Sequence, residues 1–248
     1  MKKKILIIGG HDPSGGAGVM MDANICRLNE CHPLTLITTE TVQNSHKSKG
    51  NFPANEKVFK KQFDFILEDI KPDAIKVGLI GSYEIARVIK NFLAKIKMPI
   101  VIDPVIGPTS GKSFLSNKAI EFMRDELLPF ASIVTPNEQE LFKLSNKKNV
   151  ENSIESLYEL GVENILVTGK IKNDKVVNHL FSDGSDPVQF KNNLLKGYFH
   201  GTGCMLSSLL TVFLAKKLSV VDSCEKASNQ TNSYLKLFKK IGKGQKLL

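Results

Sequence analysis

The sequence predicts an α/β fold, a mostly parallel central sheet layered between helices. Three observations carry that reading. Short apolar runs alternate with longer stretches of helical period along the 248-residue chain, the signature of strand–helix–strand crossovers. Loops rich in glycine, proline and hydroxyls follow the predicted strands, where ligands collect in such folds. Finally, a glycine-punctuated loop, His200-Gly201-Thr202-Gly203-Cys204, runs without a break into an apolar helix over 205–215.

Residues 4–9 form a short apolar run ending in Gly-Gly, as expected of a buried parallel strand. His11-Asp12-Pro13-Ser14-Gly15-Gly16-Ala17-Gly18 follows, then helical periodicity from Val19 to about Glu30. Strand, glycine-rich turn and helix together make a ligand-binding junction. The glycines match neither a Walker A motif nor GxGxxG, so they name no cofactor. Residues 34–39 read as a second strand, followed by Thr41-Val42-Gln43-Asn44-Ser45, too polar for a core element. Helical periodicity covers 55–69, with Pro72 past its end; 74–80 is a strand carrying Gly78, and 83–96 a helix. Residues 99–103 form an apolar strand that delivers Asp103 at its end, before a loop over 107–111.

Residues 117–128 are helical and 132–135 a strand; Pro136-Asn137-Glu138-Gln139-Glu140 then starts a helix with acids in its first turn, where they offset the dipole. A helix over 153–160 stops at Gly161, 164–168 is a strand, and 175–182 with 187–191 form a hairpin across Asp183-Gly184. Two helices from 203 to about 237 close the pattern. In a parallel sheet the loops 10–18, 41–45, 78–81, 103–111, 135–140 and 168–170 face one crevice. No repeat, linker or boundary interrupts the chain, which reads as a single domain over 1–248.

Composition narrows the function. The chain is 42% apolar and 24% charged, the balance of a soluble globular protein. No apolar run reaches the roughly 18–20 residues of a membrane span, and the basic start leads into too short an apolar run for a signal peptide. No membrane partner is therefore expected. Cys26, Cys31, Cys204 and Cys224 show neither a CxxC pair nor zinc spacing, and read as reduced thiols of a cytoplasmic protein. The net charge of +9 raises the question of nucleic acid. Arginine, the residue of phosphate forks and base edges, occurs only at Arg27, Arg87 and Arg124. The lysines are scattered, apart from 2–4 and the closing run at 236, 239, 240, 243 and 246. A solvated basic surface and no nucleic-acid partner is the reading.

The loop at 200–204 carries the chemistry. Gly201 and Gly203 lack a Cβ and let a ligand approach the backbone. The helix that follows opens with N–H groups that have no intrahelical partner, and its dipole is positive at that end. Cys204 falls in the first turn, where a thiol's pKa is usually lowered. An anion hole with an acid–base group at its rim suits phosphoryl transfer. The plainer alternative is a tight turn before a buried helix, with Cys204 a small core residue.

Taken together, Gly10-His11-Asp12-Pro13-Ser14-Gly15-Gly16-Ala17-Gly18, Val42-Gln43-Asn44, Lys76-Val77-Gly78-Leu79, Asp103-Pro104-Val105 with Ser110-Gly111, Thr135-Pro136-Asn137-Glu138-Gln139-Glu140 and His200-Gly201-Thr202-Gly203-Cys204 resemble the hydroxymethylpyrimidine/phosphomethylpyrimidine kinases of thiamine biosynthesis, within the ribokinase-like superfamily. They stand in the family's order, and the Gly-Thr-Gly-Cys form separates this branch from sugar kinases. The resemblance implies a ribokinase-like fold and phosphorylation of 4-amino-5-hydroxymethyl-2-methylpyrimidine phosphate, and of the free alcohol, by Mg-ATP. It also implies a homodimer.

By position, Gly10, Asp22, Gln43, Leu79 and Val105 would bind the pyrimidine, with the Gln43 carboxamide pairing the ring edge. Gly201, Thr202, Gly203 and Cys204 would form the catalytic loop, and His200 would support it. Asn137, Thr168, Gly169 and Lys170 would meet the nucleotide phosphates, and Asp103 and Glu140 magnesium. Relatives carry lysines where this chain has Thr109 and Thr168, which leaves Lys112 and Lys170 as the nearest substitutes. Plainer readings stand beside these: Asp22 as a helix cap or solvated residue, Asp103 as a turn cap, Asn137 and Glu140 as helix-start residues. The alternative functions are a pyridoxal-type kinase and a pyrimidine-binding homologue with reduced catalysis.

Overall fold

Inside the sheet, β1 (Lys4–His11) lies between β2 (His32–Gln43) and β4 (Ala74–Val77), parallel to both. The computed structural model describes residues 2–107 and 113–248. On the far side of β4 follow β5 (Ile100–Ile102), β6 (Ile133–Val134) and β7 (Asn164–Lys172), all parallel. β8 (Lys175–Ser182) and β9 (Val188–Asn193) extend that edge antiparallel, and β3 (Ser48–Pro53) closes the other. The order is β3-β2-β1-β4-β5-β6-β7-β8-β9 in one sheet.

Alternation along β1 shows why its run is apolar throughout. Side chains of a strand point to opposite faces in turn. Leu6 and Ile8 join a core with Phe59 and Phe63 of α2 (Glu56–Asp69) and Ile85 and Ile89 of α3 (Tyr83–Leu93). The same layer takes buried residues from α4 (Asn117–Phe122), α5 (Glu138–Ser145) and α6 (Val150–Tyr158). Ile5 and Ile7 face the opposite way, against α1 (Gly18–Leu28) and α7 (Thr202–Ala215). Beside these two helices, α8 (Val220–Leu235) adds Cys224 and Ala227 to that second layer. Helices on both faces leave no polar side for the inner strands.

The helix starts are mostly capped by their own side chains. Ser82, Ser116, Asn149 and Ser219 each accept an N–H from the first turn of α3, α4, α6 and α8, a device worth about 1 kcal/mol per helix. Helix α1 starts without a side-chain cap, and so does α7. Helix α7 is buried along most of its length, against β1, β4 and β5, and apolar there apart from Ser207, Ser208 and Thr211, as expected of a central helix.

Several boundaries differ from the sequence reading. β2 continues through Thr41 to Gln43 because β3 folds back and supplies its hydrogen-bond partners. The helix after Ser116 becomes a π turn at Met123–Leu127 and a 3-10 turn at Leu128–Phe130. β7 runs on to Lys172 by pairing with β8 across an irregularity between Val167 and Lys170. Among the described residues, no helix is long and apolar enough to cross a membrane.

Candidate active site

The carboxyl ends of the parallel strands open on one side, and the N-terminus of α7 meets them there. Gly201 is left-handed, with φ +74°, and a Cβ on it would sit 1.9 Å from the Gly16 carbonyl oxygen. Gly18 is equally constrained, its Cβ position lying 2.2 Å from the Gly10 oxygen. Only glycine lets these loops close on each other. His200 Nε2 lies 2.7 Å from Asp12 Oδ2, and Asp12, 1% exposed, also accepts from the Ser14 N–H at 2.9 Å. Burial pushes the Asp12 carboxyl up, but the bonds to His200 and Ser14 outweigh it and hold it below the ordinary range. The capless first turn over 202–204 thus presents its N–H groups at a loop pinned from below.

Beneath that turn lies a buried charge network. Lys76 sits between Ile75 and Val77 on β4, on the α1 and α7 side of the sheet. Its Nζ is 2.7 Å from Asp22 Oδ2 and 3.8 Å from Asp103 Oδ2, with side-chain exposures of 2%, 0% and 5%. Ser208 donates to Asp22 at 2.8 Å and Ser207 to Asp103 at 3.0 Å, so α7 ties both carboxylates to itself. Burial works against the lysine's charge, but Asp22 and Asp103 keep it protonated above the usual lysine range.

Two expectations change here. Asp22, expected to contact substrate, is fully buried, with both carboxylate oxygens engaged within the protein. Cys204 shifts the opposite way from the lowered pKa expected at a helix start. Burial pushes it up to about 12, reinforced by Asp103 and Asp22 and only partly opposed by Lys76 and by a backbone hydrogen bond from Gly18. The helix N-terminus cannot offset desolvation beside two carboxylates.

Next to Asp103 across the sheet comes the strand end of β6. Asn137 and Glu140 form a reciprocal capping box on α5, with N–H bonds of 2.9 and 3.0 Å. The helix-start reading of these residues is therefore correct as far as it goes. Burial and the nearby Asp103 nevertheless raise Glu140 to about 8, against lowering bonds from Asn137 and Ile106. Thr135 Oγ1, just past the end of β6, is buried and has no hydrogen-bond partner among the described residues. A strained pair of carboxylates beside an orphaned hydroxyl fits a hydrated divalent cation, which takes oxygen ligands and relieves like-charge repulsion. No group of three or more histidine, cysteine or acidic side chains is placed to hold a metal among the described residues, so water and substrate phosphate would complete the shell.

The nucleotide candidates also converge. Thr168 bridges to Asn137 and its N–H donates to the Pro136 carbonyl at 2.9 Å. Gly169, at φ +76°, donates its N–H to Asn178 Oδ1 at 2.9 Å, and Asn178 is anchored on α8 by Ser228. Lys170 pairs with Glu138 at 2.9 Å, so its charge is directed across the start of α5. Thr109, Ser110, Gly111 and Lys112 lie outside the described residues. Among the residues expected to meet the pyrimidine, the Gly10 Cβ position is 3.1 Å from both Leu79 Cδ2 and Thr39 Cγ2, so Gly10, Thr39 and Leu79 pack together. Val105 follows Asp103 by a tight turn, its N–H donating to the Asp103 carbonyl at 2.8 Å. Gln43 ends β2, half-buried, beside Ser48 of β3.

Comparison with known proteins names this arrangement. The model of one protein family, phosphomethylpyrimidine kinase, matches residues 12–248. The chain belongs to that family. It is 30% identical over 251 residues to the hydroxymethylpyrimidine/phosphomethylpyrimidine kinase of Aquifex aeolicus, covering 98% of each chain. It is also 30% identical over 240 residues to the probable thiamine biosynthetic bifunctional enzyme, chloroplastic, of rice, but spans only 44% of that protein. The solved phosphomethylpyrimidine kinase of Clostridium difficile has a TM-score of 0.80 at 29% identity, over 94% of this chain and 100% of that one. The pyridoxal kinase of Staphylococcus aureus, solved with AMP-PCP, has a TM-score of 0.89 at 26% identity, over 100% of this chain and 93% of that one. The ribokinase-like α/β fold expected from the sequence is the fold of this chain.

Within this phosphomethylpyrimidine kinase fold, some site residues escaped the sequence reading. Lys76 lies in one of the family-like motifs with no role attached to it, although a lysine inside an apolar strand already hints at a buried partner. Ser207 and Ser208 are hidden in an apolar helix. Asp12 likewise carries no role in the sequence pattern, and its bond to His200 becomes visible only in three dimensions.

Proposed function

We propose that the chain transfers the γ-phosphoryl group of ATP to 4-amino-5-hydroxymethyl-2-methylpyrimidine phosphate, giving the diphosphate, and that it also phosphorylates the free alcohol. The observation that carries this is the capless start of α7, whose Ser207 binds Asp103, with Glu140 beside that carboxylate. Phosphoryl transfer needs such donors where negative charge accumulates on the transferred group. Residues 201–204 are assigned to the phosphoryl group, and Gly10, Gln43, Leu79 and Val105 to the pyrimidine. Asn137, Thr168, Gly169 and Lys170 are assigned to the nucleotide. Asp103 and Glu140 would hold magnesium, which supplies charge neutralisation to the phosphates when bound.

Cys204 lies where the acceptor hydroxyl must lose its proton. In the ligand-free site it is a thiol, so a role as base requires ligand binding to favour the thiolate. The monophosphate oxygen is already anionic near neutrality, since a phosphate monoester has a second pKa of about 6, and has no need of that base. This reading includes a single-domain protein, a homodimer, and a place in the cytoplasm where ATP and reduced thiols occur together. Light scattering in solution checks the dimer.

The second reading is a pyridoxal-type kinase, favoured by the TM-score of 0.89 to the Staphylococcus aureus enzyme. A coupled assay of ADP release with the pyrimidine alcohol, its monophosphate and pyridoxal decides between them. Turnover of the monophosphate well above pyridoxal is expected. Preference for pyridoxal would replace the first reading by the second.

A further inference from the structure

The lysine-rich segment 239–248, read from sequence as solvated surface, is fastened at both ends of the pyrimidine side. At its start and end, Lys239 and Leu247 pair as an antiparallel bridge, which folds the segment into a closed loop beyond α8. Along the loop it clasps the turn that follows Gln43. Gln245 donates its N–H to the Ser45 carbonyl at 2.8 Å, and Gly244 donates to Ser45 Oγ at 3.3 Å. A Cβ at Gly244 would lie 2.0 Å from the Ser45 carbonyl oxygen, and one at Gly242 2.5 Å from Ser45 Oγ. Gly244 thus permits a backbone-to-backbone approach that a Cβ would block, while Gly242 sits against the Ser45 side chain.

The other fastening is on the loop that enters α7. The Lys246 carbonyl accepts the His200 N–H at 3.0 Å, and its own N–H donates to the Tyr198 carbonyl at 2.8 Å. Leu247 is buried, and the Gly16 Cβ position is 2.5 Å from its Cδ2. His200 is the residue paired with Asp12. The segment therefore touches the Gln43 turn, the glycine loop after β1 and the anion loop, and joins three parts of one site.

We propose that segment 239–248 is a positioning strap for the acceptor. It sets the separation between the Gln43 turn and the loop at 200–204, and so determines how tightly the pyrimidine is held, while the nucleotide side stays independent of it. Gly244 and Leu247 are the positioning residues. The inference rests on the pyrimidine kinase reading for its substrate, but the strap itself is a matter of geometry.

The test compares Gly244→Ala, Leu247→Ala and Leu247→Met with the unaltered chain. KM and kcat are measured for the pyrimidine monophosphate and for ATP, and hydrogen exchange by mass spectrometry is followed in peptides over 43–47 and 201–204. A shift of the two loops should raise KM for the pyrimidine on the order of 10- to 100-fold, with KM for ATP changed less than about twofold. Leu247→Met, which conserves volume, should restore Leu247→Ala most of the way. Exchange should quicken in both loops together in Gly244→Ala. Equal rises in both KM values, or unchanged exchange in both loops, would overturn the proposal. If Gly244→Ala does not fold, the Leu247 pair decides the question by the same two readouts. If the unaltered chain turns over no pyrimidine, the functional reading falls, and the exchange data alone judge the strap.

Discussion

Replacing Lys76 by methionine tests the buried network directly. The change removes one cation and leaves Asp22, with no exposure, bonded to Ser208 and facing the Asp103 carboxylate, which loses the same partner. At an effective dielectric of about 20, Coulomb's law gives roughly 6 kcal/mol for a 2.7 Å pair and roughly 4 kcal/mol for one at 3.8 Å. Desolvation of the ions offsets much of that sum, and breaking a buried pair by removing one partner costs about 3–5 kcal/mol. For a chain of this size, about 2–4 °C of Tm accompanies each kcal/mol, so Lys76→Met should melt roughly 6–20 °C lower. Urea unfolding followed by circular dichroism gives the free energy. The double variant Asp22→Asn/Lys76→Met leaves no unpaired charge at that pair and should recover more than half the loss. A double-mutant cycle should then show coupling above about 2 kcal/mol, within the range for residues in one network. A Lys76→Met protein within about 0.5 kcal/mol of the parent, the effect of an ordinary surface change, would refute this account of the network, as would additive single and double variants.

Three further outcomes follow from the site. Gln43→Ala should weaken pyrimidine binding by about 1–3 kcal/mol, because the ring edge is left unpaired, and leave ATP binding unchanged by calorimetry; an equal loss for both ligands would remove Gln43 from the pocket. Cys204→Ala should slow phosphorylation of the alcohol by about 10²-fold, the lower scale of general-base catalysis, and that of the monophosphate much less; equal losses in steady-state rates would make Cys204 a shaper of the anion hole only. In metal-free buffer Glu140, raised to about 8 from the ordinary 4.5 by burial and Asp103, keeps a proton that the unfolded chain has released. Stability should therefore fall as pH rises through that window. Denaturation midpoints for Glu140→Gln should lack that fall, and magnesium should flatten it in the parent; a slope that survives Glu140→Gln belongs to another group.

Local pattern determined much of this protein. The apolar runs of β1, β5 and β6 announce buried strands because both faces are covered by helices, and a strand with two buried faces must be apolar at every position. The glycine loop before α7 is legible because its role is local: a turn, an uncapped helix start and a thiol within a few residues. Period and punctuation therefore determined the layered sheet and most of the loops at the carboxyl ends of its parallel strands. Tertiary structure decided the rest, and the reason is sequence separation. Strand β3, with Gly50 inside it and Pro53 at its end, shows no alternation and exists because β2 offers an unpaired edge. Asp22 and Lys76 stand 54 residues apart, Asp22 and Ser208 186, and Asp12 and His200 188. No window along the chain contains both members of any of these pairs. The Cys204 thiol shows the consequence: its position at a helix start implied a lowered pKa, but burial beside Asp103 and Asp22, carried there by other strands and helices, reversed the sign. A charge's neighbours in space set its state, and only folding chooses them.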